Sequence, residues 1–301
     1  MLSLLYNFMI TTIIPTLTTE HFIKKFQTSK EVEVLIPSLN KDNKRFFPDG
    51  EVYVKMPTAN LLAGRVVVLH SGIPDPNAGL SELEAILGLL KGNKNIFIEV
   101  FFTYFPYCMQ DEVFSQGEVN MAEELTKKLV DYYHVQKIYV IDPHFAGKKW
   151  IDKYPLVFVS AVQLLMDQAS VRYPEIIFVA PDLGSQRRTK LIGVSKKRIN
   201  SFIVETVHDE NFAKSIKGKV VGVVDDIVET GGTMDHFYDK CMSYGAVKVV
   251  ALITHGVLLS GIDRIQKKYS ELFLTNTIDR ESANIDITDL ILDALQTTIK
   301  K

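Results

Sequence analysis

Val220 to Thr233 reads VVGVVDDIVETGGT, and the order of chemistry within this stretch decides the fold. The β-branched apolar run predicts a strand covered on both faces. Asp225 and Asp226 stand at its carboxyl end, a loop with Gly231 and Gly232 follows, and MDHFYDKCMSYG continues as a helix. That helix carries Phe237, Cys241 and Tyr244 on one side and stops at Gly245. Glycine amides opened at a helix amino terminus bind phosphate without net positive charge. Thr230 and Thr233 add hydroxyl donors, and the two acids accept hydrogen bonds from vicinal hydroxyls of a sugar. A ribose phosphate fits both halves of the motif. Alone, GGT is also an ordinary helix start with Thr capping and two solvated acids, but carboxylates are seldom placed at the end of an apolar strand without a partner.

Working outward, the same kind of short apolar run recurs at Arg65–Leu69, Ile96–Phe101, Lys137–Ile141, Ile176–Ala180 and Val247–Leu252. Amphipathic stretches lie between them. Asn77 is expected to cap a helix with Leu80, Leu83, Leu87 and Leu90 on one face, and Asn120 another with Met121, Leu125 and Leu129. Strand and helix in alternation predict an α/β fold of mainly parallel sheets flanked by helices, with ligands at the carboxyl ends of strands. KIYVIDPH (137–144) and KVVGVVDD (219–226) repeat one pattern, basic residue to apolar strand to acid. Two similar domains are expected, 1–153 and 154–301, with the last helix able to pack on the first; the break is read near Asp152–Pro155, where KYP interrupts the apolar pattern.

Composition narrows the classes. The 34 basic and 36 acidic residues among 301 nearly cancel, so no broad cationic surface advertises nucleic acid. Two cysteines, Cys108 and Cys241, are too few for a disulfide framework and suit a reducing compartment; cytoplasm is the expected location. Met1 to Ile14 is apolar, but no Lys or Arg precedes it and no small-residue cleavage site follows it. It reads as a first buried strand rather than a targeting segment, and it is too short to span a membrane.

Further motifs fall in a telling order. RFFPDGEVYV (45–54), NAGLSELEAIL (77–87), YFPYCMQD (104–111), VIDPH (140–144), APDLGSQRR (180–188) and SKKRI (195–199) precede VVDDIVETGGT. Together they resemble the ribose-phosphate pyrophosphokinases (phosphoribosyl pyrophosphate synthetases), a family with a type I phosphoribosyltransferase-like fold, over nearly the whole chain. The resemblance implies that Phe47, Asp49 and Glu51 hold ATP from a neighbouring subunit, with Gln110, Asp111 and His144 completing the ATP set. It implies that Asp182, Gly184 and Arg188 form the pyrophosphate loop, and that His144 and Asp182 hold Mg2+. Lys196 and Arg198 match the family's catalytic loop, with His144 beside them in that role. Asp225, Asp226, Glu229, Thr230, Gly231, Gly232 and Thr233 match its ribose 5-phosphate site. Without the resemblance, PDG is a turn before a strand, His144 a core or capping histidine, and KKR a solvated basic turn.

The sequence departs from the pattern at Met109, where the family commonly has Arg, and at Ser185, where it has a second glycine. A Ser amide still donates, but its side chain restricts the backbone. The implied reaction passes the β,γ-diphosphoryl group of Mg-ATP to the anomeric hydroxyl of ribose 5-phosphate, giving phosphoribosyl pyrophosphate and AMP, in a homo-oligomer built of dimers. A catalytically silent regulatory homologue and a phosphoribosyltransferase are the alternatives; neither nucleic acid nor membrane is an expected partner. If Lys196 closes on the transferring phosphates, Lys196→Ala lowers turnover by about 100-fold or more with little change in ribose 5-phosphate affinity. Steady-state kinetics check this, and unchanged turnover rejects the loop assignment.

Overall fold

The computed structural model describes residues 10–189, 191, 196–198, 204–206 and 210–297. Its strands are β1 (Thr11–Pro15), β2 (Val32–Val34), β3 (Gly64–Ser71), β4 (Ile96–Tyr104), β5 (Lys137–Ile141), β6 (Leu156–Val159), β7 (Ile177–Val179), β8 (Lys196–Arg198), β9 (Val204–Thr206), β10 (Val220–Val228), β11 (Lys248–Gly256) and β12 (Leu272–Leu274). The helices used below are α1 (Pro76–Leu90), α2 (Met121–Asp131), α3 (Val162–Arg172), α4 (Leu183–Thr189), α5 (Glu210–Ile216), α6 (Gly232–Ser243), α7 (Leu259–Lys268) and α8 (Thr288–Thr297).

The chain forms two compact units. The first holds a six-stranded sheet of order β2-β1-β3-β4-β5-β6, the second a four-stranded sheet of order β12-β11-β10-β7. Every pairing in both is parallel. β8 and β9 form a separate antiparallel pair. The expected α/β class with two parallel sheets is what the chain adopts. Parallel strands need crossovers, usually helices, and helices on the faces bury the strands on both sides. All eight residues of β3 are buried accordingly. In the second unit Val221 and Val223 face one core, with Phe237, Cys241 and Ile262, while Val224 faces another with Leu165 and Phe273. Each such buried aliphatic side chain contributes about 1.5–3 kcal/mol.

One buried polar cluster ties the first unit together. Arg65 on β3 donates from Nε and Nη2 to Glu99 Oε2 on β4 at 2.9 and 2.7 Å, and from Nη2 to Tyr139 Oη on β5 at 2.8 Å. Its Nη1 donates to the Leu295 carbonyl of α8 at 2.6 Å. A fully hydrogen-bonded pair of this kind is tolerated in a core where a lone charge is not.

Two readings need correction. Asp75, not Asn77, caps α1: one carboxylate oxygen accepts the amides of Asn77 and Ala78, both at 3.0 Å, and Pro76 takes the first helical position, where its missing N–H costs nothing. Asn120 does cap α2, accepting from the Glu123 amide at 3.0 Å. The units part at Val159/Ser160 rather than at 152–155, because β6 remains the edge strand of the first sheet. Residues 277–279 and, among the described residues, 287–297, α8 included, return to the first unit. The expected first strand is realised as Thr11–Pro15; residues 1–9 of that stretch lie outside the described residues.

His70 in β3 is wholly buried, with Nδ1 3.0 Å from Thr16 Oγ1 and its ring edge-on to Phe102. Gly79 of α1 gives it room, since a Cβ there would lie 3.0 Å from His70 Cε1. Burial pushes its pKa down to about 3. The unfolded chain takes up this proton near pH 6.5 and the folded protein only near 3, so acidification favours unfolding. This residue's share of stability is therefore complete above about pH 6.5 and is lost as pH falls, at up to ~1.4 kcal/mol per pH unit. Denaturant titrations of wild type and His70→Gln at pH 7 and pH 5 should show the stability gap between them narrowing at the lower pH. Parallel profiles refute the assignment.

Candidate functional site

β10 runs through the paired acids instead of stopping before them. Its pairing with β11 continues from Asp225↔Ile253 to Val228↔Gly256, so the acids sit inside the last turns of the pleat. Glu229 and Thr230 follow as an exposed loop, Gly231 adopts φ +75, and α6 begins at Gly232. The cap is Gly231 itself, with no side-chain cap hydrogen bond, so the Thr capping of the ordinary reading is not what forms. Thr233 is exposed in the first turn. An L residue at position 231 would be strained by its positive φ.

α7 packs against this loop. A Cβ on Gly261 would lie 1.9 Å from the Glu229 carbonyl oxygen, so only glycine permits the approach. A Cβ on Gly232 would stand 4.0 Å from Arg264 Nη1, placing an exposed guanidinium beside the loop glycines. The sequence reading missed both Gly261 and Arg264. They lie about 30 residues beyond the loop, in a stretch whose only local signal is amphipathic helix, SGIDRI.

Asp225 and Asp226 are 7% and 5% exposed. Asp225 Oδ1 accepts from Ser185 Oγ at 2.5 Å and from the Asp226 amide at 3.1 Å. Burial raises the Asp225 carboxyl well above the ordinary range, the neighbouring Asp226 pushes the same way, and the Ser185 hydroxyl opposes them. Asp182 precedes α4, and its Oδ1 accepts the Ser185 amide at 2.9 Å. That amide is thus committed to Asp182, where the sequence reading kept it as a donor for phosphate. Gly184 is half-buried in the first turn of α4, and Arg188 lies in its last, its side chain outside the described residues, as are those of Lys196 and Arg198 on β8. Ser195 and Ile199, which flank that pair, also lie outside the described residues.

In the first unit Phe47, Asp49 and Glu51 occupy a hairpin closed by the Phe46↔Val52 bridge, with Gly50 at φ +92. The Phe47 amide donates to the Glu51 carbonyl at 2.8 Å, and the Glu51 amide to Asp49 Oδ1 at 3.1 Å. Phe47 is 44% exposed and stands edge-on to Tyr53. Gln110 is exposed, whereas Asp111 is buried with Oδ1 3.6 Å from Lys148 Nζ. Asp111's carbonyl accepts from Trp150 Nε1 at 3.0 Å. His144 is half-buried just beyond β5. Through Ser185 the structure joins Asp182 and Asp225, with Asp226 adjacent, while the Phe47 turn is held by its own hairpin bonds. Among the described residues no group of three or more His, Cys, Asp and Glu forms a metal site, and no helix is long and apolar enough to cross a membrane.

An acid pair followed by a glycine loop and helix on a parallel sheet, in a chain with two such sheets, defines a type I phosphoribosyltransferase-like fold. The crystal structure of phosphoribosylpyrophosphate synthetase from Mycobacterium smegmatis has the same fold, with a TM-score of 0.78 over 97% of this chain and 99% of that one at 20% identity. No protein-family model matches the chain. A ribose-phosphate pyrophosphokinase of Pyrococcus furiosus is 32% identical over 278 residues, 88% of this chain and 95% of that protein. Ribose-phosphate pyrophosphokinase 1 of Streptococcus mutans is 28% identical over 86% of each chain. The chain belongs to the ribose-phosphate pyrophosphokinase family.

The contact between Gly261 and Glu229 yields a direct expectation. Gly261→Ala forces α7 and the loop apart and destabilises the protein by about 1–3 kcal/mol, which calorimetry reads as a lowered midpoint. An unchanged midpoint shows that the helix does not rest on the loop as described.

Proposed function

We propose that the protein is an active ribose-phosphate pyrophosphokinase, transferring the β,γ-diphosphoryl group of ATP to the anomeric hydroxyl of ribose 5-phosphate. The observation that carries this reading is the buried acid pair on β10 leading through a glycine turn into the amino terminus of α6, within a chain of this family. In this reading the amides of Gly231 to Thr233 take the 5-phosphate at the positive end of α6. Thr230 and Thr233 add hydroxyls, Arg264 beside Gly232 adds a cation, and Asp225 and Asp226 orient the ring hydroxyls. The Glu229 carbonyl lies close against Gly261 of α7.

The anomeric oxygen attacks the β-phosphorus in line and loses its proton, while the bond from that phosphorus to the bridging oxygen of AMP breaks. Such a transfer requires alignment and neutralisation of charge on the phosphoryl oxygens more than covalent help. Lys196, Arg198 and Arg188 supply cations for that charge. Gly184 gives the diphosphate a close approach to the backbone of α4. His144 and Asp182 would hold Mg2+, which when bound neutralises the phosphates. Asp182 suits that role by its chemistry, since its Oδ2 makes no hydrogen bond among the described residues and Mg2+ commonly takes one or two carboxylates and leaves the rest to water and phosphate.

Gln110, Asp111 and His144 serve the nucleotide in this reading, and Phe47, Asp49 and Glu51 serve that of a neighbouring subunit. Partial exposure of the Phe47 ring on a closed hairpin supports a role for its apolar surface in a partner. The working form is then a homodimer or a multiple of it.

Purified protein with Mg2+, ATP and ribose 5-phosphate should release AMP only when the sugar is present, followed by chromatography. Ribose 5-phosphate binding without AMP formation would instead identify a silent regulatory homologue, the alternative that the departures at Met109 and Ser185 raise. Activity that needs a nucleobase and no ATP would identify a phosphoribosyltransferase.

A further inference from the structure

Ser185 occupies the place where the family pattern has glycine, and the structure gives its side chain a specific use. A serine inside a helix ordinarily returns its hydroxyl to the carbonyl one turn back. Here Oγ reaches across 40 residues of sequence to Asp225 Oδ1 at 2.5 Å, while the amide of the same residue donates to Asp182 Oδ1 at 2.9 Å. Ser185 is 1% exposed and Asp225 7%, so the bond between them is shielded from water. Burial in a low-dielectric surrounding strengthens such a hydrogen bond. The Asp226 amide donates to the same oxygen at 3.1 Å. Two donors converging on Oδ1 fix the plane of the Asp225 carboxyl group, and with glycine at 185 only the Asp226 amide of that pair would remain.

We propose that Ser185 is a positioning residue for the acceptor sugar, fixing Asp225 on β10 from the helix whose cap, Asp182, faces the diphosphate. The role rests on ribose 5-phosphate being the acceptor. It makes this chain's serine a replacement for backbone freedom by a side-chain clamp: the pyrophosphate-loop helix and the sugar-binding strand become one hydrogen-bonded assembly within the second unit.

Titration calorimetry with ribose 5-phosphate alone, without nucleotide or metal, tests it in the full-length protein. Ser185→Ala should weaken binding by about tenfold, the value of one buried hydrogen bond, and Ser185→Thr, which keeps the hydroxyl, should bind as the wild type does. In the AMP assay the Ser185→Ala change should appear in KM for the sugar and leave kcat nearly unaltered. Equal affinity of Ser185→Ala and wild type overturns the role, and so does an equal loss in the Ala and Thr variants, which would mean packing alone. Ser185→Gly provides the same comparison if Ser185→Ala does not fold. Absence of ribose 5-phosphate binding by the wild-type protein overturns the function, and this role with it.

Discussion

Covering both faces of a parallel sheet is the constraint from which most of this protein follows. A parallel strand cannot turn straight back into its neighbour, so each must hand the chain to a crossover, here usually a helix, and the two faces fill with apolar side chains. Polar chemistry is thereby driven to the carboxyl ends of the strands, where helix amino termini also gather. The acid pair on β10 and the glycine turn into α6 occupy that position. Their surroundings are the apolar cores on either side of the strand, which is why the Asp225 carboxyl is held well above the ordinary range.

Asp225 shows how such a site is held. A buried acid beside a second acid is unfavourable for the fold, and it persists because specific donors meet it. Ser185 is one of those donors, the Asp226 amide another. The unfavourable electrostatics belong to the site rather than to the architecture, as is usual where binding competes with stability. The Arg65–Glu99–Tyr139 cluster in the first unit is the contrasting case, a buried charge pair with its hydrogen bonds made and no ligand to wait for.

How much of this the sequence displays depends on how far apart the interacting residues lie. The strand, acids, glycine loop and helix at 220–243 were readable because they are contiguous and each carries a local signal. So were the other long strands, from their β-branched runs, and the α/β class, from their alternation. The extent of β10 was misjudged, since pairing with β11 carries a strand past residues whose own preference is against it. The start of α1 was misplaced by two residues because Asn and Asp compete as caps and only geometry shows which side chain turns back. Gly261, Arg264 and the Ser185 bond were not legible at all. They depend on elements meeting across tens of residues, and nothing in SGIDRI or in a lone serine specifies the partner.

The return of the last helix to the first unit has a consequence for synthesis. The Leu295 carbonyl that receives the Arg65 guanidinium is made 230 residues after it. During translation the second unit's sheet, drawn from 160–276, emerges before the first unit has its final helix, so the earlier half waits on the later one. Domains made in order ordinarily fold in order. Here a chain arrested near residue 276 would hold the β3–β4 arginine and glutamate without the carbonyl that completes their cluster, and maturation of the amino-terminal half waits on synthesis of α8 rather than on its own completion on the ribosome.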